Sequence, residues 1–406
     1  MFTESQKKSD CCGCMACANI CGKDAIKMKR DKSGFAYPFV DPQKCVHCGL
    51  CQKVCPMEES CVGKPGSPDI YALQNHSAQV LSASSSGGMF TLLARWVLSQ
   101  EGVIYGVAFD DAFSVRHMRA VTQEEAMAFR TSKYVESDLS SVYRTILEDV
   151  RSGKTVLFTG TPCQVSAIKK YLELRRADCS RVYTCDNVCH GVPSRKLWAD
   201  YLKILRENYM EPDDQITYIN MRSKRFSWKK QVMDIGVKKG NLDKVLKDFS
   251  FNRLFLSLYG NRPSCFHCRY TSFLRPGDFS LGDFWNVENA GITFDVEGGV
   301  NLVLVNTPKG RELFQQLRSD AHWQSVSQKA AWQPHLEYSA KPPANQAQFW
   351  KEYLSAPEDG REKVMRKYMQ GSLITRIIRL VSPFLRKTGL YGFAGKLYKL
   401  LIVRKK

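Results

Sequence analysis

Two cysteine runs of identical spacing stand near the start of the chain and constrain it more than any other feature. Cys11, Cys14, Cys17 and Cys21 form C-x2-C-x2-C-x3-C, and Cys45, Cys48, Cys51 and Cys55 repeat it, followed by Pro56. In this pattern three closely spaced thiolates hold three irons of one cube, and the fourth ligand comes from the other run. The spacing therefore assigns Cys11, Cys14, Cys17 and Cys55 to one 4Fe-4S cluster, and Cys45, Cys48, Cys51 and Cys21 to a second. Structural zinc ordinarily uses two separated C-x2-C pairs, a weaker match. Disulfides are disfavoured because Met1 to Asp10 is polar and lacks the apolar core of a secretory signal. Gly22 stands where a proline often follows the fourth cysteine, and Cys12 is an extra thiol that fits the spacing less well than Cys11.

The chain has 406 residues and 44% hydrophobic content, enough for a small module and one or two larger units. Its 16 cysteines imply a reducing, cytoplasmic setting and bound metal. No uncharged apolar run approaches the ~18 residues of a membrane span. The formal net charge is +19, but it is uneven: residues 361–406 hold 13 Lys or Arg and one acid, Glu362. The remainder is only mildly basic, which argues against a nucleic-acid partner.

The expected fold class is α+β or mixed α/β. A bacterial ferredoxin-like domain over 1–62 is followed by a linker over 63–69, in which Gly63 to Pro68 is rich in glycine and proline. A larger mixed α/β region then divides into 70–150 and 151–335, and a basic amphipathic tail covers 336–406. Apolar spacing predicts a helix from Met89, strands at Val103–Phe109 and Thr155–Phe158, and helices at Leu139–Val150, Gln164–Leu174 and Leu197–Tyr209. Further strands are expected at Arg181–Thr184, Ile216–Met221, Val232–Lys238 and Val300–Asn306, in more than one sheet.

Several short patterns in the large region carry chemistry. Ser84 to Gly88 opens the Met89 helix, where small residues leave backbone N–H groups facing outward for a phosphate; an ordinary capped helix is equally open. Phe158 to Gln164 forms a strand–turn–helix junction of the kind at which ligands bind. Cys163, Cys185, Cys189, Cys265 and Cys268 supply enough thiolates for a third four-cysteine cluster, with zinc as competitor. Asp278 and Asp283 bracket a short apolar strand, either as hydroxyl-orienting acids or as strand-end caps. Lys224, Arg225, Lys229 and Lys230 flank Trp228, as a solvated edge or an anionic-substrate site. His190 and His267 are assigned no role.

The order of these pieces resembles the β-subunit family of coenzyme F420-reducing hydrogenases and dehydrogenases, with a ferredoxin module fused in front. The matching stretches are Ser86-Gly87-Gly88, Ser132-Lys133-Tyr134-Val135, Gly160-Thr161-Pro162-Cys163-Gln164 and Cys189 to Ser194. They continue through Asn220 to Lys224, Cys265-x2-Cys268 and Ser280 to Trp285. The resemblance implies a flavin, normally FAD, beside a third 4Fe-4S cluster. Cys163, Cys189, Cys265 and Cys268 would hold that cluster, with Cys185 competing with Cys189. Ser86, Gly87, Gly88, Lys133, Tyr134, Gly160, Thr161 and Asp283 would lie near the flavin.

The function expected is an iron–sulfur flavoprotein oxidoreductase that relays electrons between clusters and FAD, to or from a small organic partner such as coenzyme F420 or another acceptor. Catalytic residues are not assigned. The alternative is a non-catalytic electron-transfer subunit serving a redox partner protein in envelope or polysaccharide metabolism. The apolar and basic periodicity of Leu373 to Leu401 reads either as attachment to an anionic membrane surface or as a helix packed on a neighbour.

Overall fold

A computed structural model describes residues 1–58, 67–230 and 232–369. Cys61 and most of the expected linker fall outside these residues, as does the periodic segment Leu373 to Leu401.

The cysteine-rich module is built around one hairpin. Strands β1 (Ile26–Arg30) and β2 (Ala36–Val40) pair antiparallel between the two cysteine runs. Gly34, at φ +87°, completes the turn between them. Short helices at Ala16–Ile20 and Leu50–Lys53 carry the third cysteine of each run.

The large region is organised by an eight-stranded mixed sheet. Its strands are β3 (Asp69–Asn75), β4 (Val103–Phe109), β5 (Val115–Ala120), β6 (Val156–Gly160), β7 (Val182–Asn187), β11 (Phe279–Asp283), β12 (Asn301–Val305) and β13 (Ala321–Ser325). Between β7 and β11 in sequence, β8 (Ile216–Ser223), β9 (Val232–Val237) and β10 (Gly240–Asn241) form a separate antiparallel sheet. The large sheet runs β13-β3-β12-β11-β7-β6-β4-β5. Its centre, β4-β6-β7-β11, is parallel, and the pairs toward both edges are antiparallel. Every residue of β12 is buried, as a central strand covered on both faces requires.

Helices cover both faces of that sheet. Met89–Ser99 and Pro308–Leu317 bury Leu93, Val97, Leu313 and Phe314 against Leu157, Phe279 and Val303. On the other face, Val142–Arg151 and Pro162–Leu174 pack on Val103, Val156 and Phe158. The same apolar cluster includes Met15, Ile20, Ala36 and Val54, so the module shares a core with the large domain. Tyr143 donates its hydroxyl to the Cys14 carbonyl at 2.7 Å, and Tyr270 donates to that of Pro56 at 2.8 Å. Removing apolar surface from water on this scale holds the two parts together.

Residues 336–369, expected to begin a basic tail, instead belong to the folded domain. The helices Gln346–Ser355 and Arg361–Met369 bury Phe349, Tyr353, Met365 and Tyr368 against Tyr201, Leu205 and Phe249. Their charges are paired: Arg366 with Glu362 at 2.7 Å, and Lys367 with Glu352 at 2.8 Å. The apolar anchors here are aromatic and widely spaced, so the run of positive charge dominates the sequence pattern. Among the described residues no helix is long and apolar enough to cross a membrane.

Candidate functional site: three cysteine sets and an adjoining cleft

The two cysteine runs repeat a backbone conformation as well as a spacing. Gly13 and Met15 flank Cys14 with φ of +72° and +66°; His47 and Gly49 flank Cys48 with φ of +52° and +72°. Left-handed residues on both sides of the middle cysteine curl each loop around a common centre. Successive N–H groups in such loops form the concave nests found at many iron–sulfur sites. Glycine relieves the strain at one position of each loop, whereas Met15 and His47 bear it.

Cys11, Cys14, Cys17 and Cys55 lie within electrostatic reach of one another. This is the inner set, and burial raises the thiol pKa of Cys11 and Cys17 in particular. Cys45, Cys48 and Cys51 group on the outer side, where Cys48 is exposed. Cys21 follows the Ala16–Ile20 helix, and its Sγ accepts from the Ala25 N–H at 3.4 Å.

A third set assembles in the large domain. Cys163, Cys189, Cys265 and Cys268 interact electrostatically in every pairwise combination. Burial pushes Cys189 up to about 12 and Cys268 up to about 11. Cys185 points elsewhere: it packs in the apolar core beside Leu157 and Phe279, and its charged neighbours are Asp186 and Asp278. Geometry thus groups Cys189, not Cys185, with the other three. The two differ because β7 runs through Cys185 and ends at Asn187, which releases Cys189 into the following turn.

Among the described residues, no group of three or more His, Cys, Asp or Glu side chains converges as a single metal ion would need. A lone zinc requires its ligand atoms about 2.0–2.3 Å from one point. A four-iron cube is held at four separate irons, and its thiolates therefore stand further apart. The donor sets are all-thiolate, which is the chemistry that iron–sulfur clusters require.

The carboxyl ends of the parallel strands open into a cleft of about 280 Å³. This is where an open α/β sheet places ligands, and the volume is close to the lower end of small-molecule pockets, roughly 300–1,000 Å³. Ser86, Gly88, Lys133, Tyr134, Gly160, Thr161 and Asp283 all line it. Arg130 and Trp285 join them, as do Phe90, Phe129 and Phe255, giving the cleft two cations and an aromatic lining that suit a flat anionic ligand.

Gly87 is the exception among the expected residues. A side chain there would run into the Leu73 carbonyl and the Asn301 N–H, so this glycine lets the turn cross β3 and β12 at close range. The helix start behind it is also partly occupied, since the Met89 N–H donates to Asn301 Oδ1 at 3.0 Å.

Lys133 is the most perturbed cation of the cleft. Its ammonium donates to the Ala128 carbonyl, and burial lowers its pKa to about 7. Asp283 pairs with Arg222 at 2.8 Å, although burial still raises its pKa. Arg222 lies over Trp285, 5.5 Å from the ring centre. Thr161 caps the Pro162–Leu174 helix: its N–H donates to Gln164 Oε1 at 2.9 Å.

Other candidates prove structural. Asp278 is buried and accepts from the N–H and hydroxyl of Thr184 at 2.8 and 2.9 Å, which locks strand to strand. Lys224 donates to the carbonyls of Leu81, Ser86 and Gly298 at 2.6–2.7 Å. Arg225 pairs with Asp243 at 2.7 Å, and Lys229 pairs with Glu288. His190 packs against His335 at 4.1 Å; burial lowers its pKa to about 3 and leaves it neutral.

Sequence reasoning missed the cations that act at long range. Arg262 reaches from the large domain to Cys11, and Arg275 pairs with Asp186 in the core at 2.7 Å. A lone arginine in a loop gives no local signal of what it will meet.

The matches to known proteins follow this division. Residues 10–58 match the 4Fe-4S dicluster domain. Together with the paired cysteine loops, this makes the chain an iron–sulfur electron-transfer protein. Residues 153–329 match the model that describes the C terminus of the coenzyme F420 hydrogenase/dehydrogenase beta subunit, so this stretch is similar to that family. A solved chain from "Xenon derivatization of the F420-reducing [NiFe] hydrogenase complex from Methanosarcina barkeri" is similar at 17% identity and a TM-score of 0.43, over 77% of this chain and 91% of that one. No curated protein matches.

Proposed function

We propose that the chain is an FAD-dependent iron–sulfur oxidoreductase that exchanges electrons with a small organic partner, coenzyme F420 or another two-electron carrier. The observation that carries this reading is a shared wall: Thr161 and the Cys189 to Val192 turn line both the cleft and the cavity of the third cysteine set. Cys163, Cys189, Cys265 and Cys268 would hold a third 4Fe-4S cluster. Ser86, Lys133, Tyr134, Thr161 and Asp283 would contact the flavin. When bound, clusters carry single electrons and a flavin exchanges pairs, so their proximity matches one-electron to two-electron chemistry.

The protein's own part is to position and to exclude. Lys133 and Arg130 offer positive charge to an anionic ligand, and Tyr134 and Trp285 offer apolar faces that keep water away. Cys12 lies within interaction range of both Cys14 and Cys163, which supports a short route from the inner set to the third. The exposure of Cys48 supports exchange with a redox partner protein at the outer set. A cytoplasmic location, with attachment to an anionic membrane surface through the basic stretch 361–406, completes the proposal.

Anaerobic purification with an ultraviolet–visible spectrum and quantification of iron, sulfide and flavin tests the reading. Iron and sulfide without any capacity to take up FAD would leave the non-catalytic relay as the better account.

A further inference from the structure

We propose that Arg262 raises the reduction potential of the inner cluster by setting a fixed cation against its Cys11 ligand. This rests on the assignment of the inner cluster to Cys11, Cys14, Cys17 and Cys55.

The Arg262 side chain is fully buried. Its Nε donates to the Cys11 carbonyl at 2.7 Å; its Nη2 donates to the Cys11 Sγ at 3.4 Å and to the Ala36 carbonyl at 2.7 Å. The guanidinium lies over the Tyr37 ring, 4.5 Å from its centre. Space for it exists because residue 13 is glycine: a Cβ there would stand 2.6 Å from Nη1. The large domain thus inserts a fixed cation into the loop that would wrap the inner cluster.

Reduction adds one negative charge to a cluster. A buried cation that hydrogen-bonds a ligand sulfur favours the reduced form, and burial leaves that interaction poorly screened. Glu136 offsets part of the charge, but it binds Nη1, whereas Nη2 faces the sulfur. At the outer set a comparable cation stays off the sulfur: Arg175 donates to the Asn19 and Ile20 carbonyls beside Cys21, whose Sγ accepts from the Ala25 N–H, and Cys48 meets solvent. Two loops of the same spacing therefore sit in unlike fields.

The test is an anaerobic redox titration of the full-length protein followed by electron paramagnetic resonance. A Cys48→Ala background identifies the inner signal. In Arg262→Gln, the reduced-to-oxidised ratio of the inner cluster at a fixed potential should fall at least tenfold, a shift of about 59 mV for one electron. The outer cluster should not move. Arg262→Lys should recover part of the shift, and Glu136→Gln should move the inner cluster the opposite way. If Arg262→Gln does not fold, the upward shift in Glu136→Gln decides alone. Equal shifts of both clusters, or none, overturn the role of Arg262. A parent protein that lacks the inner cluster overturns the assignment itself, which its iron content distinguishes.

Discussion

Cys12 and Cys163 line one cavity at the seam between the cysteine-rich module and the large domain, near enough for their thiols to interact. Cys12 is also near Cys14, so one side chain adjoins both the inner set and the third. Cys12 itself lies outside the repeated spacing. Cys12→Ala should therefore keep the full iron content while slowing electron exchange between these sites, as followed by rapid-freeze paramagnetic resonance.

Cys163→Ala should remove one cluster and spare the pair in the module. Three filled sites correspond to about twelve irons per chain, and the variant should retain about eight. Iron and sulfide analysis reads this directly; loss of all iron would contradict the separation of the sets.

Anion binding in the cleft is expected to depend on pH through Lys133. Its folded pKa of about 7 lies below the ordinary 10.5 because of burial. Between these values the unfolded chain holds a proton that the folded chain has released, so this group's contribution to stability rises with pH across that window. An anion in the cleft reverses the demand, because Lys133 must take the proton back. FAD affinity should fall by up to about tenfold per pH unit above 7, until the pKa of the complex is reached. Titration of flavin fluorescence from pH 6 to 9 measures it, and Lys133→Met should flatten the profile.

Arg275→Met should destabilise the fold strongly. Arg275 and Asp186 are both buried, and the pair also fixes the chain at the Gly277 N–H, which donates to Asp186 at 2.9 Å. Removing one partner of such a pair costs about 3–5 kcal/mol. Denaturant unfolding should register a loss of that size.

Gly87→Ala should cost about 1–3 kcal/mol through overpacking, because backbone on both sides leaves no room for a methyl group. The melting temperature should drop without loss of the iron in the module.

Legibility in the sequence followed the range of the interactions. The ligands of the dicluster module were readable because their spacing is local and covalent. Strands such as Val156–Gly160 and Val103–Phe109 announced themselves as short apolar runs. The partner of β3 did not: Leu73 pairs with Asn301 and Trp323, more than two hundred residues away. Asp278 resembled a site acid because sequence cannot distinguish a carboxylate that faces a cleft from one that bonds Thr184. Gly87 is ambiguous in the same way, since a glycine beside a helix start serves ligand approach and strand approach equally. The packed helices of residues 346–369 were hidden under their own charge.

The place of β3 in the large sheet has a consequence for dissection and inheritance alike. It lies between β12 and β13, while β4 and β5 complete the opposite edge. A fragment restricted to residues 153–329 would retain β12 and β13 but lose the strand that joins them. The recognisable unit of descent is therefore not a self-sufficient unit of folding: any recombination that transplants it must bring the upstream segment too.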